Sequence, residues 1–101
     1  MNFYLTKSKN TNKKYSVFYY DNNNNLKKIN FGSAGYSDFT INKSLTKKKN
    51  YILRHKKREN WRETGIFTAG WWSRWLLWNK DTIEKSIKNI ENNFDVKIYY
   101  L

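Results

Sequence analysis

The stretch GWWSRWLLWN, residues 70–79, holds four of the chain's five tryptophans within eight positions. In a chain of 101 residues with a formal net charge of +12, this cluster constrains the fold more than any other feature. Trp71, Trp75 and Trp78 follow i, i+4, i+7 spacing and Trp72 pairs with Leu76. Only Ser73 and Arg74 interrupt an apolar surface that runs almost all round a helix. Three uses compete for it: a helix buried in the core, a platform for stacking nucleobases, and a membrane-interface anchor. An anchor needs a broad cationic face opposite the apolar one, and Arg74 stands nearly alone. A stacking platform needs several ring faces exposed. The core has the strongest claim, because hydrophobic residues are 39% of the chain and aromatics 19%. Each buried ring contributes a gross ~4–6 kcal/mol, while ordering the chain costs on the order of 1.5 kcal/mol per residue. Four indoles taken out of the interior would leave that cost unopposed. The expectation is a buried tryptophan helix with one ring at its edge.

Around this segment the chain reads as α+β. NFYLTKS (2–8), KKYSVFYYD (13–21) and LKKINFG (26–32) carry the β-branched and aromatic residues of strands, and DNNNN (21–25) supplies an Asx-type turn. They predict an antiparallel meander with Ile29 and Phe31 on one face. GSAGYSDFTINKS (32–44) is read as a connector. Its Gly32 and Gly35 suit a strand-ending turn, and no Lys-Ser/Thr follows to make a phosphate loop. LTKKKNYILRHKKRENW (45–61) is predicted helical, with Leu45 and Ile52 on one face beside His55. TAGWWSRWLLWN (68–79) starts a second helix at Thr68, and a third opens at Asp81 with Glu84 completing a capping box. Ile83, Ile87, Ile90 and Phe94 form its inner stripe. DVKIYYL (95–101) is a last strand with Val96, Ile98 and Tyr100 on one side. The predicted architecture is one α+β domain over residues 1–101: a small antiparallel sheet, the three-stranded N-terminal meander plus the C-terminal strand, packed against three short helices.

The absence of cysteine excludes disulfides and thiolate sites. A polar N-terminus, MNFYLTKSKN, and the lack of a run of ~20 apolar residues predict an intracellular protein with no membrane segment. Sixteen lysines and many asparagines partly reflect AT-rich codons, so the four arginines are the stronger signal: Arg54, Arg58, Arg62 and Arg74 all fall between residues 54 and 74. On a continuous helix Lys47, Arg54 and Arg58 lie within about 40° of one another, with Lys57 beside them. Arg54 and Arg58 repel at i, i+4 with no acidic residue between them. A solvated face is the ordinary explanation of a charge run. A stripe kept despite repulsion is better explained by an anion, and phosphate oxygens match the guanidinium fork. The predicted nucleic-acid contacts are Lys47, Arg54, His55, Lys57 and Arg58, with Arg62 and Arg74 extending the patch and Trp61 stacking on or supporting it. His55 has no serine or carboxylate placed to complete a triad, and the eight carboxylates are scattered. No catalytic constellation, metal site or cofactor is predicted.

The segments FGSAGYSDFT, YILRHKKRENW and TAGWWSRWLLWNK, in that order, resemble a family of small uncharacterised basic proteins encoded by giant nucleocytoplasmic large DNA viruses. That family's pattern runs G-x-x-G-Y-x-D-[FY]-T, then RH-x-x-RE-x-W, then [ST]-x-G followed by SR-[YW]-[IL]-LWNK. The positions that match here are Gly32, Gly35, Tyr36, Asp38, Thr40, Arg54, His55, Arg58, Glu59, Trp61, Gly70, Ser73, Arg74, Trp78, Asn79 and Lys80, and Asp81 stands where the pattern has proline. The resemblance implies a viral origin and a place in the host cell's viral factory or in the virion; it implies no reaction. Two functions follow as expectations. The first is a basic protein that binds or packages viral DNA by non-specific phosphate contacts. The alternative is a capsid or core component of the virion, whose basic face binds acidic protein partners and whose KIYYL strand pairs across subunits.

Overall fold

Phe3, Leu5, Val17 and Phe31 recur with the period of a strand, and the chain turns all four to one side, where they are completely buried. In the computed structural model, which describes residues 1–101, β1 (Asn2–Lys7), β2 (Lys13–Tyr20) and β3 (Leu26–Ser33) form the expected antiparallel meander. The asparagine run turns the chain as its composition dictates. Asp21 Oδ1 accepts from the backbone N–H of Asn23 at 2.9 Å and of Asn25 at 2.8 Å, and Asn24 adopts the left-handed conformation at φ 64°. The tight turn after β3 places Gly35 at φ 86°, with the Tyr36 N–H donating to the Ser33 carbonyl at 3.3 Å.

The segment read as a connector contains one helical turn, α1 (Phe39–Asn42). Asp38 caps it, accepting from the Thr40 N–H at 2.9 Å, and ties it to the sheet through the Lys14 ammonium at 2.6 Å. α2 (Leu45–His55), capped by Ser44, stops at His55 rather than running to Trp61. Its inward residue is Tyr51, whereas Leu45 is 73% exposed and Ile52 is only partly covered. The reason is tertiary: Tyr51 stacks on Trp78, with ring centroids 4.7 Å apart and planes 6° from parallel.

α3 (Ala69–Trp72) is capped by Thr68 as expected, and the chain then widens into a π-helical turn over Ser73–Leu77, closed by the Trp78 N–H donating to the Ser73 carbonyl at 3.1 Å. Trp71 and Trp75 stay together on Phe94, while Trp78, after the wider turn, lies on Tyr51 of α2. Trp71 and Trp72 are fully buried, and Phe3 and Phe31 lie 5.1 and 6.1 Å from Trp72. The tryptophan segment is core, with two rings rather than one, Trp75 and Trp78, partly buried at its edge.

α4 (Ile83–Asn93) is capped by Thr82 instead of Asp81. Thr82 holds the extended backbone that immediately precedes a helix and accepts from the Lys85 N–H at 3.1 Å, leaving Asp81 to pair with the Lys85 ammonium at 3.2 Å. Ile83 and Ile90 join the core with Ile87 and Phe94 packed beside them, as the stripe predicts. The last strand, β4 (Lys97–Tyr100), lies beside β1 and runs parallel to it, giving the order β3-β2-β1-β4. The sheet is therefore mixed, not wholly antiparallel. Side-chain alternation sends Ile98 inward but carries no direction; the helical crossover sets that by returning the chain to the end of the sheet where β1 begins. No helix is long and apolar enough to cross a membrane.

Candidate nucleic-acid interface

The turn after β3, the C-terminal half of α2 and the first turn of α3 surround a cleft of about 440 Å³. Tyr36, Arg54, His55, Glu59 and Trp78 are among its walls, and Lys13 and Lys14 reach it from β2. A second hollow of about 250 Å³ shares Tyr36, Ser37, Arg54 and Trp78 with the first and adds Lys47. Tyr36 is 74% exposed at this junction. Two glycines make the walls possible. Gly32 sits at φ 77°, and a side chain there would come within 2.8 Å of Leu77. At Gly70 a side chain would run into the Glu59 carboxylate, so its absence lets that carboxylate lie against the start of α3.

Aromatic stacking fixes the polar groups on α2. Tyr51 lies between neighbours on different elements, 4.7 Å from Trp78 and 4.3 Å from the His55 ring, whose plane is tilted by 27°. Arg58 Nη2 sits 3.2 Å from His55 Nδ1, a geometry that suits a neutral imidazole accepting from the guanidinium. Partial burial, then the Arg58 and Arg54 charges, hold the His55 pKa below its ordinary value, with Glu59 opposing. Burial also pushes the Tyr51 hydroxyl up to about 12, assisted by Glu59 and opposed by Arg74, Arg54 and Arg58. Three of the four arginines thus gather around one tyrosine.

None of them has a carboxylate partner. The ion pairs are Lys14–Asp38, Lys27–Asp21, Lys85–Asp81 and Lys97–Glu91, all made by lysine. Of these, Lys14–Asp38 alone is well buried, and it lies in the cleft wall. Arg54 and Arg58 are exposed and without a carboxylate partner, and the charges of both act on His55.

The predicted residues separate into three groups. Arg54, His55 and Lys47 border the cleft or its extension, and Arg58 joins them through His55. Because α2 ends early, Arg58 does not continue a helical stripe with Arg54; the two belong to a cluster around Tyr51 instead. Lys57 and Arg62 are exposed but border neither hollow. Arg74, expected to extend the outer patch, is turned inward. Its guanidinium lies 4.3 Å from the Trp75 ring and 5.5 Å from the Trp61 ring, and Nη1 donates to the Trp78 carbonyl at 2.7 Å. Trp61 supports rather than stacks outward, donating its indole N–H to the Gly70 carbonyl at 3.2 Å. Lys13, Tyr36, Tyr51 and Glu59 are cleft residues that charge patterning missed. Tyr36 and Glu59 are matching positions in two of the three motifs that carry the family resemblance, whereas Lys13 and Tyr51 are not among the matching positions.

Fold and cleft together define a small α+β protein with a cationic, aromatic-walled surface hollow. The chain belongs to DUF5754, a family of unknown function whose model matches residues 4–55, just over half of its length. That stretch takes in the meander, α1 and α2, and it supplies Lys13, Tyr36, Tyr51, Arg54 and His55; Glu59, Trp78 and the other three arginines lie beyond it. No curated protein and no solved structure matches the chain.

Proposed function

We propose that this chain is a small basic DNA-binding protein of a large DNA virus, holding the polyanion by its phosphates at the mouth of the cleft. The supporting observation is the set of arginines without carboxylate partners, two of them exposed beside the aromatic stack. Arg54 and Arg58 take phosphate oxygens through their guanidinium forks, and Lys47 and Lys13 add point charges on either side. Burial and the neighbouring arginines disfavour the charged imidazole of His55, and an adjacent phosphate favours it. Glu59 faces the cleft from behind, so a phosphate is held at the rim and not drawn inside. Lys57 and Arg62 enlarge the positive field from the flank. Arg74 holds the end of the π-helical turn in place, which positions Trp78 and through it Tyr51 and His55.

Four such contacts give a slope of log K against log salt near −3.6, a loss on the order of a hundredfold between about 50 and 200 mM. The test is that slope, measured on a short DNA duplex for the native chain and for Arg54→Ala/Arg58→Ala. The variant is expected to bind more weakly on every sequence, with a slope shallower by about 1.8. An unchanged slope, or native affinity indifferent to salt, overturns the reading.

A further inference from the structure

The helices cover one face of the sheet and leave the other bare. Phe3, Leu5, Val17, Phe31 and Ile98 point into the core, so the alternate residues of the same strands point away from it. Strand register lines four of these up in a single row across the sheet: Lys28 opposite Phe18, Phe18 opposite Tyr4, and Tyr4 opposite Tyr99. Tyr20, 55% exposed, stands two residues along from Phe18 on the same face. Tyr4 and Tyr99 stack on each other, 5.4 Å apart and 16° from parallel, and Tyr99 remains 42% exposed. Lys97 Nζ, 3.8 Å from the Glu91 carboxylate, lies 5.9 Å from the Tyr99 ring.

Rings placed outward on a sheet do nothing for the core beneath it. Charge says what they are suited to meet. The four strands carry six lysines and not one carboxylate. Three of the six are paired with carboxylates from outside the strands, while Lys28, beside Phe18 on the outer face, has no such partner. Planar apolar faces beside ammonium groups match one class of ligand, a chain of flat bases joined by phosphates. Duplex DNA keeps its base faces stacked internally, whereas a single strand presents them.

We propose that the outer face of the sheet is a second nucleic-acid site, which binds single strands by stacking bases on Tyr99, Tyr4 and Phe18 while Lys28 and Lys97 hold the flanking phosphates. The proposal shares with the cleft only the class of partner; the residues are disjoint, and each site can fail without the other. Cross-strand spacing of about 5 Å allows neighbouring rings to serve successive bases once the strand is drawn out over them.

The test uses the full chain with unstructured oligo(dT) and oligo(U) of about a dozen nucleotides, and with a duplex hairpin as control. Phe18→Thr/Tyr99→Thr keeps β-branched residues in the strands and removes two stacking faces. Single-strand affinity is expected to fall roughly tenfold to a hundredfold while duplex affinity is unchanged. Arg54→Ala/Arg58→Ala is expected to do the reverse, weakening duplex more than single strand. Equal binding to oligo(dT) and oligo(U), which differ in the 5-methyl group and the 2′-hydroxyl, fits recognition by base faces. Upfield ring-proton shifts of Tyr99 and Phe18 in the native chain on adding oligo(dT) provide a reading that does not depend on the variant folding. Absence of those shifts, or a folded variant with undiminished single-strand affinity, overturns the proposal. So does a dimer that Tyr99→Thr dissociates, which would give this face to a second copy of the chain.

Discussion

Segments 54–62 and 69–78 both combine tryptophan with arginine, and they dispose of the charge in opposite ways. In the second, Arg74 is enclosed by Trp61 and Trp75 and bonded to a carbonyl of its own segment. In the first, Arg54 and Arg58 stand exposed with no acidic partner, although Glu59 and Glu63 follow closely in sequence. One guanidinium is part of the interior; the other two are available to something outside. Nearness in sequence made the four look equivalent, and their surroundings make them different.

Substitutions sharpen the contrast by separating stability from binding. The largest effect is expected at Trp72, which is fully buried between Phe3, Phe31 and Trp71 and donates its indole N–H to the Ile66 carbonyl at 2.7 Å. Trp72→Ala should cost about 3–5 kcal/mol, a large share of the ~5–15 kcal/mol that holds a small domain together. Denaturant unfolding measures it. Next comes Arg74→Ala, which leaves the Trp78 carbonyl unpaired and a gap between two rings, at about 1–3 kcal/mol. Arg74→Met should recover part of that loss, because its chain fills the same space and Arg74 Nε is already buried without a partner. Arg54→Ala should change stability by no more than about 0.5 kcal/mol, as exposed substitutions ordinarily do. If Arg54→Ala proved as damaging as Arg74→Ala, the contrast between the two segments would collapse.

The smallest effect is a dependence on pH that His55, the chain's single histidine, makes clean to observe. Its pKa in the folded protein lies below the unfolded value of about 6.5. On acidification the unfolded chain takes up the proton first, so this contribution to stability is whole above that value and is lost as pH falls through the folded pKa. His55→Asn should flatten the slope of stability in that window. Duplex DNA should shift the imidazole titration upward, followed by NMR, and binding should strengthen as pH falls from neutrality toward 6. An imidazole titration that DNA leaves in place would remove His55 from the interface.

Much of this fold was legible in the sequence because local chemistry decides it. The alternation of Phe3 and Leu5, the Asx turn at Asp21, the Thr68 cap and the isoleucine stripe of α4 each depend on residues within a few positions of one another. What escaped depends on partners far along the chain. Nothing inside α2 says that Tyr51 and not Leu45 faces inward, since the deciding ring is Trp78. Lys56, Lys57 and Arg58 are acceptable helix formers, so no local signal stops α2 at His55; there the N–H groups of Arg58 and Glu59 both turn back to the His55 carbonyl at 3.1 Å. The π-helical turn is equally silent, and after it Trp78 stacks on Tyr51, apart from Trp71 and Trp75, beside which an even 100° spacing would have kept it. For the candidate site, composition located the arginines, while only the packed structure distinguished Arg74 from Arg54 and brought Lys13 and Tyr36 to the same hollow.

One spectrum reads both segments at once. With arginine side chains and tryptophan indoles labelled with ¹⁵N, a short duplex is titrated into the native protein. The Arg54 and Arg58 Nε–H signals should move in proportion to binding and lose that response in high salt, while the Trp72 and Trp75 indole N–H signals stay fixed. Stationary Arg54 and Arg58 signals in the presence of bound DNA, or indole signals that move with them, would contradict the assignment of the arginines to the partner and the tryptophans to the core.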